Sequence, residues 1–217
     1  MVLLWLPLLS VFCLGCSGTI EKQPVVVEPE RVGEDTDVHV PGIPALAYRL
    51  KRVLIGESHF WWGLEQRSTV FFAQIHQESR WEPDAKSKYA SGLAQFTPDT
   101  AKWISDLYPA DLGENNPLDE RWAIRSLVKY DLWLFEKCPF AHDLDSRWRF
   151  LLSGYNGGIG WVSKDRTLAG ENGKMMDRWT CNVEHFSKRA TWAFDENRDY
   201  VKKILDRWFL LYEKGGF

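Results

Sequence analysis

Residues 71–101 read FFAQIHQESRWEPDAKSKYASGLAQFTPDTA. A helix starting near Ser68 puts Phe71, Ile75 and Glu78 at i, i+4 and i+7, on one face. That face points into a core, so the Glu78 carboxyl loses water and its neutral form is favoured. An acid that keeps its proton near neutral pH is what cleavage of a glycosidic bond requires. The stretch continues into a Gly-containing turn ending at Gln95. Thr97 and Pro98 then form a helix start, with Thr97 as cap and Pro98 at the first helical position.

Outward from this segment the pattern is helical almost throughout, which predicts an all-α domain. Residues 45–54 have apolar positions at helical spacing and end near Gly56. The helix carrying Glu78 runs to Trp81, with Pro83 as its stop. Pro117 opens another helix through Trp122, Leu127, Tyr130 and Leu134. Residues 148–155 form a buried helical run, and residues 196–211 form the last helix. Residues 86–96 hold at most a short hairpin.

The chain has 217 residues, 45% of them hydrophobic and 26% charged, with a net charge of −3. This suits one globular domain with additions, and there is no basic footprint for nucleic acid. Its 12 Trp residues are expected mostly in the core, with Trp81 and Trp161 beside a cleft where their faces can stack on sugar rings.

The amino-terminal residues 2–15, VLLWLPLLSVFCLG, form an apolar run of secretion-signal length, too short for a comfortable membrane span. No Lys or Arg precedes it. Leu14-Gly15-Cys16 is similar to the end of a bacterial lipoprotein signal, making Cys16 a candidate for acylation and the membrane a partner through a lipid anchor. The alternatives are an uncleaved anchor or a small buried helix. Residues 17–44 are acidic, hold four of the ten Pro and show no sustained period, which reads as a flexible tether. The resulting division is signal 1–16, linker 17–44 and folded domain 45–217.

Four ordered blocks carry a family resemblance. Glu78-Ser79, with Gly92-Leu93-Ala94-Gln95 and Pro98, resembles the Glu-Ser and Gly-Leu-Met-Gln pattern of the bacterial lytic transglycosylases in the goose-type lysozyme superfamily. Asn116-Pro117 with Ala123-Ile124 resembles that family's Asn-Pro…Asn-Ile segment. The run from Leu152 to Gly158 resembles its Ala-Tyr-Asn-Ala-Gly block, and the run from Glu196 to Val201 its Glu-Thr-x-x-Tyr-Val block. The resemblance implies a lysozyme-like fold and an enzyme that cuts the β-1,4 link of peptidoglycan glycan strands without cofactor or metal. By the same resemblance Glu78 is acid and then base, closing a 1,6-anhydro ring on muramic acid. Ser79, Gln95, Tyr155, Asn156 and Tyr200 are then expected to contact the reacting centre or the sugar. Each of these also has a purely structural reading as core, turn or helix-packing residue. Departures from the pattern are Ala94 in place of Met, and Gly154 and Gly157 in place of Ala, which are expected to widen the cleft slightly.

His76, two residues before Glu78, points away from it on a helix. Glu196 reads as a helix-end or ion-pair residue. Cys138 and Cys181 are candidates for a disulfide in an exported domain. Free thiols are a second reading. A third is a Cys₂His₂ zinc site with His142 and His185, each four residues beyond its Cys. Two functional alternatives stay open: a muramidase that hydrolyses the same bond with water, and a non-enzymatic wall-binding protein on the same fold.

Overall fold

A computed structural model describes residues 39–65 and 67–217. The proposed signal, Cys16 and most of the proposed tether lie outside these residues. The described part is all-α, as the pattern predicts. Its helices are α1 (Ala45–Trp62), α2 (Thr69–Ser79), α3 (Pro98–Leu107), α4 (Pro109–Leu112), α5 (Glu120–Glu136), α6 (Leu144–Gly157), α7 (Ile159–Glu171), α8 (Thr191–Lys203) and α9 (Phe209–Lys214). A 3₁₀ turn spans Val183–His185, and a π-helical turn, Ile204–Trp208, joins α8 to α9.

Helix α2 is the centre. Nine of its eleven residues are buried, so it is a core helix enclosed on nearly every side rather than an amphipathic surface helix. It packs against the π turn and α9, while α5 lies between α1 and α6, and α6 between α7 and α8. Trp62 stacks on Trp148 with ring centroids 5.0 Å apart, and Phe71 and Phe135 meet Trp62 edge-on. Packing reaches ahead of α1, where Ile43 is buried and the Val40 N–H donates to the Tyr48 hydroxyl at 2.8 Å.

The starts of several helices are written in local sequence. Thr97 caps α3, accepting the Thr100 N–H at 3.2 Å, with Pro98 next. Asp119 caps α5 from the Trp122 N–H, and Asp143 caps α6 from the Ser146 N–H, both at 2.7 Å. Each such cap satisfies one orphan donor and is worth about 1 kcal/mol.

Three ends differ from expectation. Helix α1 runs through Gly56 to Trp62 and stops at Gly63, whose φ is +89°. One internal glycine costs about 1 kcal/mol, and the buried stripe Ala47, Leu50, Leu54, Ser58 continues past it. Helix α2 stops at Ser79, before Pro83. Arg80 and Trp81 take φ of +53° and +65°, which turns the chain back so that Trp81 buries against Phe72 at 5.5 Å. The last helix is interrupted, because the π turn adds a residue to its winding. In place of a hairpin, residues 86–96 hold two isolated bridges, Lys86 to Ser91 and Ser91 to Phe96.

Candidate active site

Glu78 sits in the last turn of α2, half-buried, on the wall of a cleft of about 380 Å³. Gln95 from the turn before α3 and Tyr155 and Asn156 from the end of α6 line the same cleft. Tyr200 of α8 reaches the acid from behind, its hydroxyl donating to Glu78 Oε1 at 2.5 Å. Residues spread over more than 120 positions of sequence thus meet around one carboxyl group.

The electrostatics follow from that placement. Burial pushes the Glu78 pKa up to about 8; the Tyr200 hydrogen bond pulls against this and the Glu196 charge adds to it. The group is therefore mostly protonated at neutral pH, with a hydroxyl in place to stabilise the carboxylate left when the proton departs.

The cleft walls are fixed by hydrogen bonds. Gln95 has a φ of +46°, and its side-chain Nε2 donates to the carbonyls of Gly92 at 2.8 Å and Ala85 at 3.2 Å. Its amide oxygen makes none of these bonds. Gly92, at φ +77°, is required by its neighbour: a Cβ there would lie 1.7 Å from the Pro117 carbonyl oxygen. The close approach is to the segment before α5, which locks the turn in place. The Tyr155 hydroxyl donates to the Ala94 carbonyl at 2.8 Å, and its ring lies parallel to Tyr200 with centroids 6.4 Å apart. Asn156 Oδ1 accepts from Asn197 Nδ2 at 2.9 Å.

Some expected residues lie elsewhere. Ser79 is buried, and its hydroxyl donates back to the Ile75 carbonyl at 3.2 Å within α2. Trp81 is core, 2% exposed, so it offers no face to a sugar. Trp161 lies under the cations of Lys164 and Arg189. The space opened by Gly157 does not widen the cleft, because the Arg189 guanidinium and the Asn197 amide fill it. His76 stacks on Trp208 at 4.2 Å and meets the Tyr212 hydroxyl at 2.9 Å. Burial, with Arg80 and Arg207 nearby, lowers its pKa to about 4, so it is a neutral packing group.

Cys138 and Cys181 are free, which corrects the disulfide reading. Cys138 is buried beyond the end of α5, and burial pushes its thiol up to about 11. Cys181 lies in an exposed turn at φ +60°, where its N–H donates to Glu184. Arg178 engages His142 at 2.8 Å. Among the described residues no group of three or more His, Cys, Asp or Glu side chains gathers to hold a metal.

Several lining residues escaped the sequence reading, Glu196 and Tyr130 among them. Glu196 lies inside α8 and faces the cleft, not a helix end. Tyr130 of α5 also lines it, although its spacing on that helix reads as core. Glu196 does stand four residues before Tyr200, one helical turn away, and that spacing was a usable signal.

The chain matches known proteins over this region. The sequence model of the family described as Transglycosylase SLT domain matches residues 63–177. A membrane-bound lytic murein transglycosylase F from Aeromonas hydrophila is 33% identical over 106 residues, 48% of this chain and 20% of that protein. Its counterpart from Vibrio cholerae is 32% identical over 144 residues, 61% of this chain and 26% of that protein. The chain thus spans about a quarter or less of these curated relatives. In fold it is similar to the 70 kDa soluble lytic transglycosylase SLT70 from Escherichia coli, with a TM-score of 0.53 and 24% identity over 78% of this chain and 25% of that one. An inactive mutant of the lytic transglycosylase Slt from Pseudomonas aeruginosa gives a TM-score of 0.56 and 23% identity over 85% of this chain and 26% of that one.

Proposed function

The chain belongs to the transglycosylase SLT domain family, and from that premise we propose that it is a peptidoglycan lytic transglycosylase with Glu78 as its acid and then its base. One observation carries this reading: a half-buried carboxyl group, held protonated to about pH 8, opens on a cleft shared with Gln95, Tyr155 and Asn156.

In the first step the Glu78 proton passes to the glycosidic oxygen as the bond from muramic acid C1 to that oxygen breaks. The substrate's own N-acetyl group stabilises the cation at C1. The Tyr200 hydroxyl, already on Oε1, supports the carboxylate formed on Glu78. In the second step Glu78 takes the proton of the 6-hydroxyl while O6 bonds to C1, which closes the 1,6-anhydro ring and restores the acid. Proton transfer by one positioned group supplies about 10²–10⁴ in rate. Holding and distorting the sugar supplies the rest. Gln95, Tyr155 and Asn156, which line the cleft, are proposed to hold it.

The domain is proposed to act outside the cytoplasm, tethered by the residues that lie between Cys16 and the packed segment beginning near Val40, and anchored by a lipid at Cys16. This part rests on the sequence of residues 1–44.

A zymogram on peptidoglycan with mass analysis of the products tests the reading. Wild type should clear the gel and leave anhydro ends, lighter than reducing ends by one water, and Glu78→Gln should clear nothing. Reducing ends would make the enzyme a muramidase with the same acid. Equal clearing by both proteins would overturn Glu78, and no clearing by wild type would favour a binding protein.

A further inference from the structure

Two fully buried polar side chains lie beside the acid and take no part in the chemistry above. Asp131 of α5 and Gln74 of α2 are both 0% exposed. Gln74 Nε2 donates to Asp131 Oδ1 at 3.3 Å. Asp131 Oδ2 and Gln74 Oε1 are both buried without a hydrogen-bond partner. Each is an acceptor as long as Asp131 is ionised, so neither can serve the other. A buried orphan acceptor costs about 1–3 kcal/mol, and more when charged.

A single proton on Asp131 Oδ2 would turn that atom from an orphan acceptor into a donor that Gln74 Oε1 can accept. A carboxylic acid and a primary amide, meeting edge to edge, exchange two hydrogen bonds, N–H to carbonyl oxygen one way and O–H to amide oxygen the other. The titratable groups facing Asp131 are Glu78 of α2, its neighbour Tyr130 of α5, Tyr155 of α6 and Tyr200 of α8. None is a cation; the Gln74 hydrogen bond favours the carboxylate, but the desolvation of a buried charge outweighs it. Burial keeps the Asp131 proton on, and the Glu78 charge adds to this once Glu78 ionises.

We propose that Asp131 and Gln74 form a closed acid–amide pair in which Asp131 keeps its proton, and that this pair is a positioning element for Glu78. Gln74 stands one helical turn before Glu78 on α2. The pair ties that turn to α5, which also carries the cleft residue Tyr130. It does so without placing a second negative charge beside the acid. The positioning half rests on Glu78 being the acid; the protonation half does not.

Asp131→Asn and Asp131→Leu test it, each made in the wild type and in Glu78→Gln. Asparagine mimics the protonated acid, offering an N–H to Gln74 Oε1 and a carbonyl to Nε2, whereas leucine strands both Gln74 atoms. D131N is expected to keep kcat within about threefold, and D131L to lower kcat by about 10–100-fold with little change in KM. In the Glu78→Gln background, the melting temperature of D131N minus that of its parent should grow as pH rises from about 4 to 8, because the parent's unfolded chain releases a proton that its folded chain holds. Infrared spectra of E78Q should show the carbonyl stretch of a buried neutral carboxylic acid, and D131N should remove it. A melting difference that shrinks with pH, no such band, or equal kcat losses in D131N and D131L would overturn the neutral pair. A D131L protein with full kcat would overturn the positioning role. Failure of the Glu78 reading itself registers separately, as activity in E78Q, and leaves the melting and infrared results standing. If D131L does not fold, D131N still decides through its kcat, melting and infrared results.

Discussion

Tyr200 donates its hydroxyl to Glu78 Oε1 at 2.5 Å, joining α8 to the end of α2 across 122 residues. This bond favours the charged form of Glu78, against the desolvation that favours the neutral one. Tyr200→Phe removes the charge-stabilising contact and keeps the ring. The alkaline limb of kcat/KM, set by Glu78 losing its proton near pH 8 in the wild type, should move to higher pH. At neutral pH kcat should fall by about 10-fold or more, because the carboxylate formed in the first step has lost its donor. A pH–rate profile on soluble glycan fragments reads both changes; an unmoved limb would detach Tyr200 from the titration.

The raised pKa also has a cost in stability. Glu78 holds its proton to about pH 8 when folded and to about 4.5 when unfolded. Its contribution is complete below pH 4.5 and is lost as pH rises toward 8, since the unfolded chain then binds fewer protons than the folded one. Glu78→Gln has no such loss. Its melting temperature should match or exceed the wild type at pH 5, with an advantage that widens through pH 8. Thermal scans at unit pH steps check this, and a constant difference would contradict the raised pKa. Inactive but more stable is the expected signature of a strained catalytic group.

Gly92→Ala should destabilise the domain by about 2–4 kcal/mol. The new Cβ would lie 1.7 Å from the Pro117 carbonyl oxygen, a backbone atom, at a φ of +77°. Urea unfolding measures the loss. In the folded fraction KM should rise more than kcat falls, because the displaced turn carries Gln95 and not the acid.

The two domain cysteines should react very differently. Cys181 is exposed and should take up an alkylating reagent readily, while buried Cys138, with its pKa pushed to about 11, should react only on unfolding. Peptide mass mapping after alkylation with and without denaturant separates them, and a linked peptide pair in non-reduced protein would restore the disulfide.

The sequence was most readable where the cause is local. The phase of Phe71, Ile75 and Glu78 on one face, and the Thr97-Pro98 helix start, depend on neighbours within a turn, and both stand as expected. Gly56 misled because a propensity of about 1 kcal/mol was outweighed by packing beyond it. Trp81 misled because the two left-handed residues at the end of α2 swing its ring inward, and their φ values answer to tertiary contacts. Ser79 follows Glu78 directly, yet the roughly 100° between successive helical residues sends its hydroxyl back along α2. Asp131 was invisible for a related reason. Its partner Gln74 is 57 positions away, and neither has a spacing that marks it.

The π turn at Ile204–Trp208 acts as a phase shifter. One added residue advances the face of a helix by about 100°, so the two ends of what would be one rod look in different directions. Upstream of it Tyr200 addresses the reactive carboxyl; within and beyond it Trp208 and Tyr212 bond Gln77 and His76 of the same α2 turn. The α2 turn that carries the acid is thus held at three successive residues by one continuous segment, with the irregular winding between its points of contact.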